Sequence, residues 1–170
     1  GAFLYGGFEV ATTLDPNVQT FLHDHQMEGT PLLPGVMGTE AFAEMASVLC
    51  PGLGVAAIEH AEFLSPFKFH RLQPATLHLS ATGRPSGGDV LVRVVLRSIV
   101  QPRPELPAQE RVHFRGCVRM TRAAVEKPNA PFTPPTAKAA TVGREAIYRI
   151  YFHGPAYKVL DGVWLEDATA

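Results

Sequence analysis

Cysteine is nearly absent from this 170-residue chain: only Cys50 and Cys117 occur, far apart and in no CxxC or other metal-ligand spacing. That excludes a disulfide framework and a thiolate-built metal centre, and it makes a reducing cytoplasm the expected compartment. An excess of one charge is missing too. With 15 Lys and Arg against 16 Asp and Glu, there is no basic face of the kind that nucleic acid or an anionic membrane requires. No apolar run approaches the ~20 residues that span a bilayer, and the opening GAFLYGGFEV lacks the basic start and cleavage pattern of a signal peptide. Among partners, these absences leave a small, mostly apolar ligand. A chain of this length buries a real core and reads as one compact domain with the beginning of a second.

The patterning predicts one helix and several strands. Phe8 to Leu14 reads as a strand, followed by a loop at Asp15, Pro16 and Asn17. A helix begins at Pro34-Gly35 and stops at Pro51-Gly52, about 14 residues or roughly 21 Å. Met37, Ala41, Met45 and Val48 lie along one side of it, while Gly38, Ala43 and Ala46 keep the other side slim, so a sheet can wrap it. Ile58 to Phe69 is a further strand, with Pro66 marking a bulge or edge. Ala75 to Ile99 is a hairpin turning at RPSGG. From Arg111 to Met120 polar and apolar residues alternate, so Val112, Phe114, Gly116, Val118 and Met120 face a core. The economical arrangement is an α+β fold in which an antiparallel sheet curls around one central helix. Residues 1–122 form that unit. Residues 123–142 are a Pro/Ala-rich linker of extended, polyproline-like texture, and 143–170 begin something further, incomplete as given.

The chemistry concentrates in FLHDHQMEGTPLLPGVMGTE, where histidines run into a Gly/Pro-rich bend and then the helix. A helix N-terminus offers unpaired N–H groups and a partial positive charge of about half an electron, which polarises a carbonyl placed there. Gly29 and Gly35 let backbone approach a ligand closely. A neutral, solvent-accessible His25 beside that point can take a proton from the carbon next to the carbonyl while the donors stabilise the resulting oxyanion. On an acyl thioester that step leads to loss of the β substituent.

The spacing HQMEGTPLLP, His25 to Pro34, resembles the HxxxGxxxxP motif of the dehydratase domains of polyketide synthases and polyunsaturated fatty acid synthases. The tail segment YFHGPAYKVLDGVW resembles their GYxYGPxF segment, with His153 where the second tyrosine is usual. The resemblance implies a double hotdog, of which this chain holds the first half and the start of the second. It implies dehydration of a β-hydroxyacyl thioester carried on the phosphopantetheine of an acyl carrier protein, with no other cofactor and no metal. His25 is then the base, Gly29 supplies an N–H to the thioester carbonyl and Pro34 shapes the bend. Tyr151, His153, Gly154 and Pro155 then line the acyl channel, with packing between the two halves as the other reading of these four, and the family's acid, an aspartate of the second hotdog, falls beyond Ala170. The acyl carrier protein, other synthase domains and a second copy in a homodimer are the implied partners.

Plainer readings stand beside each of these. His25 could be a loop or capping residue, and His23 a structural one. The His23-x-His25 pair lacks a third ligand for zinc. Glu40 is a possible second acid, since the PGVxxxEA pattern also resembles single-hotdog dehydratases, but a buried, paired structural carboxylate is the other reading; Glu44 is a weaker candidate. His60, His70, His78 and His113 read as core or surface residues of strands. Two rival functions remain: a non-catalytic acyl-binding scaffold of a megasynthase, and a hotdog thioesterase that uses a carboxylate to activate water.

Overall fold

The structure, a computed structural model, describes residues 6–101, 103, 105–124 and 141–164. Five strands form one antiparallel sheet: β1 (Gly7–Leu14), β4 (Gly54–Phe63), β5 (Ala75–Ser86), β6 (Asp89–Val100) and β7 (Gln109–Thr121), in the order β1-β5-β6-β7-β4. A small hairpin, β2 (Gln26–Met27) and β3 (Thr30–Pro31), precedes the central helix α1 (Gly35–Leu49), which packs against β4, β5, β6 and β7. This is the hotdog arrangement.

Period-two patterning builds the inner face of the sheet. Leu77, Leu79 and Ala81 of β5, Val90, Val92, Val94 and Leu96 of β6, and Phe114, Val118 and Met120 of β7 are buried together. Full burial of one such large side chain stabilises by about 1.5–3 kcal/mol. β5 and β6 turn through Gly87-Gly88 with φ of 59° and 93°, the two-residue turn whose twist matches the strands and which favours glycine. The predicted hairpin and first strand lie where the sequence places them.

Two glycines set how α1 sits on the sheet. A Cβ on Gly38 would overlap the Phe114 ring, and a Cβ on Gly116 would lie 2.8 Å from Cε2 of Phe42. Each element therefore sends a phenylalanine into the other's glycine. This interlock sets which face of the helix is turned inward. Gly38, Phe42, Met45 and Ala46 are the buried residues, whereas Met37 and Val48 are exposed. Only a rotation that brings Phe42 inward removes its large apolar area from water.

The predicted strand over Ile58 to Phe69 is in fact β4, which starts earlier and ends at Phe63. Leu64 and Ser65 both direct their N–H groups to the carbonyl of His113, and Pro66 then has no N–H with which to continue the ladder. The chain crosses instead toward the helix entrance, where Leu33 N–H bonds Phe67 O at 2.9 Å, and passes through a 3-10 turn at His70–Leu72.

Most of the expected linker, 123–142, lies outside the described residues. After it come β8 (Val142–Gly143), a helix α2 (Arg144–Ile150) and β9 (Gly162–Val163) paired with β8. Arg144 ties this unit together through Asp161 Oδ1 at 2.8 Å and the carbonyls of Leu160 and Lys158.

Candidate active site

His25 ends the 3-10 turn Thr20–Asp24 and immediately precedes β2. Its backbone is fixed on both sides: its N–H bonds Leu22 O at 3.1 Å, and its carbonyl accepts Leu32 N–H at 3.0 Å. Nδ1 lies 3.0 Å from Leu32 O. A carbonyl can only accept, so Nδ1 carries a proton, and in the neutral imidazole the lone pair is then on Nε2. The ring is 9% exposed, so the imidazole expected to be solvent-accessible is buried instead. It is closed in by the rings of Phe152, His153 and Tyr157, with centroids at 5.1, 5.4 and 5.6 Å.

Those rings come from the far end of the chain, and Asp24 brings them in. Its carbonyl accepts Gly154 N–H at 2.7 Å and its Oδ2 accepts Ala156 N–H at 3.0 Å. A Cβ on Gly154 would overlap the Asp24 carboxylate, so the approach demands glycine. The next residue pair, His25 and His153, is joined as an isolated antiparallel bridge.

The result is a cavity of about 690 Å³ whose walls include His25, Tyr151, His153, Tyr157, Pro34 and Gly35. Phe63, Val36, Tyr148, Val159 and Leu160 complete an apolar lining with no carboxylate among the described wall residues. Pro34 is the N-cap of α1, at φ −60° and ψ 142°. The first helix bonds are Met37 N–H and Gly38 N–H to Pro34 O, so the N–H groups of Gly35 and Val36 have no acceptor among the described residues. They are the backbone donors at this cavity. Gly35 is also the residue that fits here, since a Cβ would meet Phe63 Cε1 at 3.0 Å.

Electrostatics separate the polar groups of the wall. Burial, and then the neighbouring His25, push the His153 imidazole below its ordinary range, which keeps it neutral near neutral pH. Burial, and then the Asp24 charge, push the Tyr157 hydroxyl up, so it stays protonated.

The other candidates fall in different places. Gly29, with φ 74°, and Glu28, with φ 52°, form the turn of the β2–β3 hairpin. Gly29 is exposed and is not among the cavity walls; its conformation explains the glycine without a ligand. Gly154 and Pro155 belong to the Asp24 attachment rather than to the wall. Glu40 is exposed, not buried and paired: it has no ion-pair partner among the described residues and does not line the cavity. His23 is anchored to Pro16 O at 3.0 Å. Sequence reasoning passes over Asp24 and Tyr157. Both are legible only as the acid next to His25 and the last aromatic of the tail segment, with nothing to say that they meet.

The chain is similar to known proteins over most of its length. The sequence model of the polyketide synthase dehydratase domain matches residues 6–97. One component of the polyunsaturated fatty acid synthase of Thraustochytrium sp. (strain ATCC 26185 / S-3) is 26% identical over 145 residues, covering 84% of this chain and 5% of that protein. In fold, the chain is similar to a dehydratase studied for substrate selection in the borrelidin and fluvirucin polyketide synthases, with TM-score 0.68, 23% identity, and 95% and 56% of the two chains covered. The dehydratase domain from the terminal module of the rifamycin polyketide synthase gives TM-score 0.69 at 18% identity, over 93% and 56%. The chain thus spans a small part of the synthase component and little more than half of these dehydratase structures. The family match covers more than half of the chain and includes His25 and the start of the central helix: the chain belongs to the polyketide synthase dehydratase domain family.

Proposed function

We propose that the chain supplies the base-bearing side of a dehydratase site that converts a β-hydroxyacyl thioester to the α,β-enoyl thioester. The observation that carries this reading is the tautomer of His25: Leu32 O holds the proton on Nδ1, and Nε2 is left as the base at the wall of an apolar cavity. His25 Nε2 takes the α proton. Negative charge moves to the thioester oxygen, which the Gly35 and Val36 N–H groups at the start of α1 stabilise. The Cβ–O bond then breaks, and the departing hydroxide takes a proton to leave as water. The family resemblance assigns that proton to an aspartate of a second hotdog helix. The Tyr157 hydroxyl, held protonated, is the donor on this chain that orients the leaving group.

The substrate in this reading is an acyl chain on the phosphopantetheine arm of an acyl carrier protein, presented within a multidomain synthase. A homodimer and a reducing cytoplasm are the matching assembly and compartment. A thioesterase is less well supported, because that chemistry uses a carboxylate to activate water and the described walls hold none.

The test is to incubate the full-length protein with a β-hydroxyacyl pantetheine thioester and follow the enoyl product and free thiol together. Enoyl product that is lost in H25N is the expected result. Free thiol without enoyl product would identify a thioesterase, and neither product would leave the acyl-binding scaffold.

A further inference from the structure

A second cavity, of about 650 Å³, shares no wall residue with the first. It lies where the 64–74 crossing passes the beginning of β5, the end of β6 and the beginning of β7. Its charged lining is of one sign. Lys68 and Arg111 line it, with no aspartate or glutamate among the described walls. The contrast along β7 is informative. Arg115 and Arg119 each hold a carboxylate through two hydrogen bonds, Glu62 and Glu59 respectively, whereas Arg111 and Lys68 have no ion-pair partner among the described residues. Two cations are thus gathered at a concave surface without the acids that neutralise their neighbours, which is the electrostatic form of an anion site.

The floor is a buried polar network. His113 is 3% exposed. Its Nδ1 lies 3.1 Å from both Ser65 O and Ser65 Oγ. Ser65 Oγ gives its own proton to Val112 O, so Nδ1 is the donor, and Nε2 accepts from Ser98 Oγ at 2.8 Å. Burial chiefly, and Arg111 in addition, push the His113 imidazole below its ordinary range. His113 therefore stays neutral and senses charge beside Arg111. Between the wall residues His70 and Gln73, Arg71 and Leu72 both take φ of 55°, a left-handed conformation that is costly for residues with a side chain and that turns the chain there. Phe67, Pro74 and Val100 give the cavity apolar walls, and its volume is in the range of sites for small organic molecules rather than for a bare ion.

We propose that this cavity is a second ligand site that takes an organic phosphate monoester, with Arg111 and Lys68 neutralising the phosphate and Phe67, Pro74 and Val100 covering the organic body. Two unpaired cations match the double charge of a phosphate monoester better than the single charge of a carboxylate, and the arginine fork suits phosphate geometry. The site is independent of the dehydration chemistry.

Phenyl phosphate is the probe, with phenol and inorganic phosphate as its two halves, titrated into the full-length protein by calorimetry and by NMR of the His113 ring. Saturable binding of phenyl phosphate is expected, about tenfold or more tighter than either half, and reduced about tenfold by R111A or K68A, the scale of losing one charge-assisted hydrogen bond. R111K should retain part of the affinity, and H25N all of it. Bound phosphate should raise the His113 pKa by offsetting Arg111. Phenol binding as tightly as phenyl phosphate would make this a merely apolar groove. Phenyl phosphate that fails to saturate, or that binds R111A and K68A as well as the native protein, would also overturn the proposal.

Discussion

Asp24 and Gly154 are in direct backbone contact, the Gly154 N–H on the Asp24 carbonyl at 2.7 Å, and no residue with a Cβ can take the place of Gly154. This contact joins residues 24 and 154, far apart in sequence, at the residue next to His25. It converts an exposed aromatic segment into the cover of a buried imidazole, and Asp24 Oδ2 extends it to Ala156 N–H.

Removing the side-chain part of that attachment should loosen the cover without touching substrate. Asp24→Ala is expected to lower kcat about tenfold or more, the cost of a charge-assisted hydrogen bond of about 1.5–3 kcal/mol, and to weaken nuclear Overhauser contacts between the His25 and Tyr157 rings. Glutamate, longer by a methylene, should restore part of the rate. Loss of rate with the ring contacts intact would show that Asp24 acts otherwise.

His25→Asn keeps an N–H donor for Leu32 O but has no base. Turnover to the enoyl thioester should fall by a factor of about 10² to 10⁴, with the melting temperature close to native. His25→Ala leaves a buried carbonyl unpaired and should also cost about 1–3 kcal/mol of stability. Undiminished turnover in the asparagine variant would remove His25 from the mechanism.

Gly29 separates two roles by its turn. Alanine there should cost about 1 kcal/mol, because an L residue resists positive φ, whereas asparagine tolerates it better. Denaturant midpoints of the two variants measure the difference. A large loss of turnover in a stably folded G29A would restore Gly29 to the oxyanion site.

The pH dependence of stability follows from His113 and His153, both held below the ordinary histidine value of 6.5. The unfolded chain binds their protons first on acidification, so their contribution is complete above about pH 6.5 and is lost as pH falls through the lower folded values. Urea midpoints measured at about pH 7.5 and 5.5 should therefore fall on the acid side. H153N should flatten part of that slope while leaving the Ser65–His113–Ser98 network in place; an unchanged slope would exclude His153 as a source.

Much of this was legible because it is local. The Gly87-Gly88 turn, the alternation in β7 and the helix signal at Pro34-Gly35 each depend on neighbours in sequence, and the His25-to-Pro34 spacing places His25 directly ahead of the helix. What escaped was long-range. The rotation of α1 depends on Phe114 meeting Gly38, and the end of β4 on His113 offering its carbonyl to Leu64 and Ser65. The anchoring contacts of Asp24 appear only when Gly154 arrives beside it. Met37 and Val48 show the limit most plainly: apolar and helically spaced, they are left outside because Phe42 occupies the core.

The paired docking of Phe114 over Gly38 and Phe42 over Gly116 also constrains how this sequence can change over time. Growth at either glycine is blocked while the opposing ring remains, at about 1–3 kcal/mol for an overpacked core; shrinkage of either ring leaves a void costing about 3–5 kcal/mol. Single steps at these four positions are therefore unfavourable, while compensated double steps are open. Gly38 with Phe114, and Phe42 with Gly116, should vary as couples across relatives, and the start of α1, with the Gly35 and Val36 N–H groups, stays in register with His25 through such drift.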